Sequence, residues 1–366
     1  MPQIMQRLEA AFELGGSSRL LPMEGVRGIA VGLVFLQHYG MQFVSTSDVS
    51  GVTWHIAKFF SGAGNRGVEL FFVLSGYLIY KILLTRDPKF SSFVGRRAQR
   101  LYPAFLVALL IGIALDPFRS TPAIPSDFTG AAVYLAANVA FLPGLFPIEA
   151  LFAVNWSLSY EWWFYISAIL IVGYMGFKSL PATTRIVCVF ATAAALVALS
   201  ALGFEGAPVR GLCLFAGILL VEFERLPIKA PGQITGIAAP VLALLVSEGL
   251  RLPSWATAAV LFFGFLAFAW AALAGGRATD AILCNRWLRW FGNMSYSYYL
   301  VHAFAVVIAC HVVLPRLPEG WANFAFWIGL APVFLISVIA GAVLFLFVEK
   351  PISLQSKFSF RLKRAT

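Results

Sequence analysis

Arg27 and His38 close the two ends of RGIAVGLVFLQH, a stretch that is otherwise almost wholly apolar. The two residues lie eleven positions apart, about 16 Å of helical rise and three turns, so their side chains share one face. An imidazole titrates near neutral pH and both takes and gives protons. His38 at mid-span therefore suits general-base or nucleophilic work, with Arg27 marking the mouth of a path. A lone histidine is also commonly a packed, hydrogen-bonded residue. His302, in FGNMSYSYYLVHAF, is a second such position, with Ser295 one heptad earlier and Tyr298 and Tyr299 on neighbouring faces. A charge at mid-bilayer costs about 2.5–3.5 kcal/mol on insertion scales, so two mid-depth histidines point to function, although a pore or proton relay would use them as readily as an enzyme.

Further polar groups recur at helical spacing. Ser157, Glu161 and Tyr165 in NWSLSYEWWFY fall at i, i+4 and i+8 on one face, placed toward the outer side together with Glu69. Carboxylates flanked by tryptophan and tyrosine suit a sugar-binding surface, and the same aromatics also form ordinary interfacial belts. Arg96, Arg97 and Arg100 offer guanidinium forks to the phosphates of an anionic substrate or cofactor, or simply obey the positive-inside rule. Lys81 and Arg100 lie near helix ends, where snorkelling to the interface suffices.

The elements that must carry these groups are membrane helices. Of 366 residues, 60% are hydrophobic and 12% charged, against roughly 25% charged in soluble domains. Apolar runs of about 17–25 residues recur from Val26 to Val348. The net charge of +10 sits between those runs and in the tail KFSFRLKRAT, which argues for positive-inside loops and against nucleic acid. RDPKFSSFVGRRAQRLYP, with five basic side chains, is expected in the cytoplasm. Residues 129–146 are interrupted by Asn138, Pro143 and Gly144; if they do not cross, the remaining basic loops fall inside. The chain then reads as all-α with about ten spans and both termini cytoplasmic. On this reading 129–146 is a membrane-embedded or interfacial piece that walls a cavity. Alternatively it crosses and the weak run 233–250 does not. The organisation expected is an amphipathic arm over 1–25, a membrane domain over 26–348 and a basic cytoplasmic tail over 349–366. The four cysteines lack metal-ligand spacing and read as packing residues.

Taken in order, several segments resemble the acyltransferase-3 family of integral membrane O-acyltransferases. They are the Arg27/His38 pair, GVELFFVLSGYLI at 67–79, FVGRRAQRLYP at 93–103, WSLSYEWWFY at 156–165, SYSYYLVH at 295–302 and VEKP at 348–351. The resemblance implies an acyl-CoA donor, usually acetyl-CoA, bound from the cytoplasm as a substrate rather than a resident cofactor. The acceptor would be a hydroxyl of an envelope glycan, lipid-linked sugar or related molecule at the bacterial inner membrane. It also implies that His38 carries the chemistry as base or acyl carrier, that Arg27 supports it, and that His302 is a second site residue. Arg96, Arg97 and Arg100 are implied at the coenzyme phosphates, and Glu69, Ser75 and Glu161 match family positions. Ser157, Tyr165 and Tyr299, inside the same motifs, complete the expected substrate-binding set. The chain ends too soon for the esterase-like domain some members carry, so a stand-alone module is expected, and Glu24 stands where family variants place an aspartate. A secondary transporter or flippase would use the same intramembrane residues, but only one interrupted segment is visible rather than a symmetric pair.

Overall fold

The computed structural model describes residues 2–15, 20–119, 121–204 and 207–355. Among them every regular element is helical. In chain order these are α1 (Pro2–Phe12), α2 (Leu21–Thr46), α3 (Gly51–Asn65), α4 (Gly67–Thr85), α5 (Phe90–Leu115), α6 (Phe128–Val139), α7 (Asn155–Ala168) and α8 (Ala182–Ala201). They are followed by α9 (Ala207–Arg210), α10 (Leu212–Arg225), α11 (Gln233–Gly249), α12 (Ser254–Ala274), α13 (Arg277–Leu283), α14 (Arg286–Asn293), α15 (Ser295–Val313) and α16 (Ala322–Leu344). π-Helical turns prolong α7 through Ile169–Tyr174 and α16 through Phe345–Leu354.

Two expected boundaries move. α2 begins at Leu21, not Val26, because Pro22 sits in its first turn, where its fixed φ suits the helix and its missing N–H is no loss. The arm is thus α1 and a short connection. At the other end, the turns after α16 carry Glu349 to Leu354 as helix rather than tail; the rest of the expected tail, 356–366, lies outside the described residues.

Six segments among the described residues are long and apolar enough to cross a membrane: Gly51–Thr85, Phe90–Phe118, Ala182–Ala201, Ser254–Ala274, Ser295–Arg316 and Ala322–Leu354. α2 is long enough, at 26 residues or about 39 Å, and falls outside that set because it carries polar residues. α6 has 12 residues, about 18 Å, against a hydrocarbon core of ~30 Å. Asp127 caps it, accepting from Gly130 N at 2.7 Å. The chain then turns through Phe141 and Gly144, both at positive φ, and Asn138 Oδ1 ties the return by accepting from Leu151 N (3.0 Å) and Asn155 Nδ2 (2.7 Å).

α2 is central and packs along α3, α4, α14 and α15. α4 lies against α10 at a crossing of glycines: a methyl group added at Gly217 would stand 2.1 Å from Val73 O. Gly217→Ala must therefore push α10 off α4. The expected cost is about 1–3 kcal/mol, visible as a lower thermal-unfolding midpoint in detergent; an unchanged midpoint would show that the crossing is not tight. Polar groups seal the same face. Arg185 donates to both oxygens of the fully buried Glu222 (2.7 and 2.8 Å), which also accepts from Tyr80. Lys81 pairs with Glu224 at 2.9 Å rather than snorkelling alone.

α1 docks on the end of the bundle. Phe12 packs between Trp290 and Phe345, Glu13 accepts from Trp290 Nε1 (2.7 Å) and Arg289, and Lys350 Nζ donates to Ala10 O and Ala11 O, both at 2.6 Å. A lysine on the last carbonyls of a helix meets the negative end of its dipole. Glu24 accepts from Arg289 Nε at 3.1 Å, so this carboxylate serves the α2–α14 contact.

Candidate active site

A cavity of about 120 Å³ opens between α2, α4, α5, α7 and α15. Nine of the residues singled out in the sequence line it: Arg27, Ser75, Arg97, Arg100, Ser157, Glu161, Tyr165, Ser295 and Tyr299, with Tyr296 beside them. Helical period explains the convergence. α7 turns Ser157, Glu161 and Tyr165 to one side, and α5 does the same with Arg97 and Arg100.

Glu161 is the hub of the polar wall. Ser75 Oγ donates to its Oε1 at 2.9 Å, and Tyr165 Oη donates to the same oxygen. Glu161 and its neighbours, expected on an outer sugar-binding face, share a cavity with three guanidiniums, because α4, α5 and α7 meet at this level.

The guanidiniums are not equivalent. Arg100 is bound by Glu349, a carboxylate with no exposed surface that also accepts from Ser297 N (3.0 Å) and Ser297 Oγ (2.5 Å). Arg100 also lies 5.2 Å over the Tyr296 ring. Neither snorkelling nor a free phosphate site describes it. Arg97 instead stacks over Phe93 (5.7 Å) and Tyr165 (5.9 Å), and its Nε is buried without a hydrogen-bond partner. Among the described residues Arg27 forms no ion pair within 4 Å, and Glu24 and Glu161 act on it only from farther away. Among the described residues the cavity is lined by three guanidiniums and one carboxylate, Glu161, with Glu349 behind Arg100, so its wall carries excess positive charge suited to an anion.

Two expected residues lie elsewhere. Arg96 is exposed and donates to Ser92 Oγ at 2.5 Å, since it sits about 100° around α5 from Arg97. Glu69, in the first turn of α4, pairs with Arg66 at 3.4 Å away from the cavity, and the same arginine reaches Glu248 at 3.4 Å. Residues 129–146 line no part of this cavity. The turn that follows them, Glu149–Ala153, walls a separate, largely apolar groove with α5 and the C-terminal part of α15.

The histidines meet each other just beyond the cavity. The rings of His38 and His302 lie 5.0 Å apart at 67°. Tyr299 stands between them and the cavity: its hydroxyl is 2.7 Å from Ser157 Oγ, Phe71 packs on its ring at 6.0 Å, and the His302 ring is 5.9 Å away. α2 thus points Arg27 into the cavity and His38 at the pair behind it, as their common face requires.

Glu349 and Phe71 are the site residues that residue-by-residue reading passes over. VEKP signals the first, being a carboxylate at the end of an apolar run; nothing in an apolar stretch distinguishes Phe71. Among the described residues no group of histidine, cysteine and carboxylate side chains is placed to hold a metal ion.

A family described as Acyltransferase domain matches residues 22–347. The chain is similar to the peptidoglycan O-acetyltransferase OatA of Listeria monocytogenes, with 26% identity over 361 residues that cover 86% of this chain and 56% of that one. It is likewise 26% identical over 359 residues to the putative peptidoglycan O-acetyltransferase YrhL of Bacillus subtilis, covering 85% and 54%. A putative O-acetyltransferase of Staphylococcus aureus is 32% identical over 165 residues, 40% of this chain and 24% of that protein. The chain spans about half the length of the first two relatives. No solved structure matches it.

Proposed function

The chain belongs to the acyltransferase-3 family, and from that membership we propose that it moves an acetyl group from cytoplasmic acetyl-CoA to a hydroxyl of a cell-envelope glycan or lipid-linked sugar at the bacterial inner membrane. The observation that carries this reading is the cationic cavity with a buried histidine pair just behind its Tyr299 wall. A volume of about 120 Å³ is well below the 300–1,000 Å³ of a pocket for a whole drug-sized ligand, and suits the narrow acyl-thioester end of the donor with its nucleotide outside. Arg27 and Arg97, which form no ion pair within 4 Å among the described residues, meet the donor's anionic and carbonyl groups. Arg100, held by Glu349, shapes the wall. Glu161 with Ser75 and Tyr165 orients the thioester, and His38 takes the proton of the acceptor hydroxyl.

The topology that goes with this reading has about ten crossings and cytoplasmic termini: α2, α7 with its π-helical extension, α9 together with α10, and α11 cross in addition to the six long apolar segments. The basic connection 86–89, the first turns of α5 with Arg97, and the start of α15 then lie on the donor's side. The relatives' printed names suggest peptidoglycan as one acceptor class.

Purified protein incubated with isotope-labelled acetyl-CoA and envelope glycan fractions tests the proposal. Label is expected to appear on the glycan with release of free CoA. Movement of an unmodified solute across vesicles, with no label transferred, would replace it with a transport function. In the same assay Arg97→Ala is expected to raise KM for acetyl-CoA about 10-fold or more, the loss of one charge-assisted contact of about 1.5–3 kcal/mol; an unchanged KM would remove Arg97 from donor binding.

A further inference from the structure

The histidine pair contains two orphaned nitrogens. His302 Nδ1 lies 2.9 Å from Tyr299 O and 3.1 Å from Tyr298 O. A carbonyl only accepts, so Nδ1 carries the ring proton and the neutral imidazole keeps its lone pair on Nε2. That Nε2 is buried and has no hydrogen-bond partner. His38 Nδ1 is also buried and unpartnered. Leaving such an atom unsatisfied costs about 1–3 kcal/mol, so a site that keeps two of them in adjoining rings uses them.

Geometry shows how. Two imidazoles joined by an N–H···N bond of about 2.9 Å have ring centres roughly 5 Å apart. His38 and His302 stand 5.0 Å apart at 67°, a centre-to-centre separation that such a bond would keep. His302 is the fixed member: Tyr298 stacks on it at 5.2 Å and 7°, and the two carbonyls lock its tautomer.

We infer that His302 Nε2 is the proton acceptor for His38 Nδ1–H, so that the two rings act as a relay. The inference rests on the reading of His38 as the base of acyl transfer. The acceptor hydroxyl gives its proton to His38 Nε2 as its oxygen bonds to the thioester carbonyl carbon. His38 Nδ1–H passes its own proton to His302 Nε2, and the carbonyls of Tyr298 and Tyr299 hold the resulting imidazolium. When the tetrahedral intermediate collapses, the C–S bond breaks and its electron pair leaves on sulfur. The proton returns from His302 to His38 Nδ1, and His38 Nε2 protonates the thiolate. Ester and free thiol form, and both rings end as they began.

The test uses the full chain in detergent with acetyl-CoA and an acceptor that the wild type modifies. His302→Asn keeps an amide donor for the two carbonyls and removes Nε2. Its kcat is expected to fall about 100-fold or more, with KM for acetyl-CoA unchanged. The dependence of kcat on deuterium content of the solvent is expected to be curved for the wild type, with more than one proton in flight, and linear for His302→Asn. The wild-type curve needs no variant to fold, and thermal unfolding of His302→Asn reports its integrity. A linear wild-type dependence, or wild-type kcat in His302→Asn, overturns the relay. Acetyl transfer by His38→Ala would instead overturn the reading on which the relay rests.

Discussion

His38→Ala protein is expected to insert and fold, and to transfer acetyl groups at a rate at least about 100- to 10,000-fold below wild type, the range that a positioned general base contributes. Folding survives because the substitution removes an imidazole whose Nδ1 is buried without a partner. Deleting an unsatisfied group relieves part of what the lost packing costs. α2 keeps its contacts with α3, α4, α14 and α15, none of which depends on a hydrogen bond from His38. The measurement is acetyl-CoA-dependent labelling of glycan by protein matched for expression and gel-filtration profile in detergent. Wild-type transfer would remove His38 from the chemistry and leave the cavity without a base behind its Tyr299 wall.

The second large effect is structural, and it falls on a residue outside the cavity lining. Glu349→Gln preserves the side chain's size and an acceptor for Ser297 N and Oγ, but it leaves the guanidinium of Arg100 without its counter-charge. Breaking a buried pair from one side costs about 3–5 kcal/mol. The expected result is a clear drop in the thermal-unfolding midpoint together with impaired transfer, since a released Arg100 is free to turn on Glu161. Removing both charges, as Arg100→Leu with Glu349→Leu, is expected to recover most of the midpoint, because replacing a buried pair with apolar residues is often neutral. Transfer stays low in the double variant if Arg100 shapes the cavity wall. A double variant no more stable than Glu349→Gln would show that the drop does not come from an uncompensated Arg100 charge.

The Glu349–Arg100 pair also links the site to the docked arm. Lys350, the next residue, holds the last carbonyls of α1. One π-helical turn thus fixes Arg100 on its inner side and α1 on its outer side.

Local periodicity carried much of this into the sequence. Arg27 and His38, and Ser157, Glu161 and Tyr165, are sorted onto common faces by a repeat of 3.6 residues, which any reader of the chain can apply. Asn138, Pro143 and Gly144 likewise mark where α6 must stop. The same rule leaves Arg96 and Arg97 indistinguishable until the direction of α5's inner face is known, because adjacent residues differ only by rotation about an axis of unknown orientation.

By itself, then, the sequence determined that the chain is a set of apolar helices, which helical faces are polar, and, through the order of its motifs, the acyltransferase-3 family. These follow from composition and short-range spacing. Tertiary structure alone decided that His38 meets His302, that Glu349 takes Arg100 from across 249 positions, that Glu161 faces the cavity, and that Glu69 does not. Helices in a bilayer choose neighbours by close packing at small residues and by satisfying buried polar groups, and both depend on pairs of distant segments that no local pattern names.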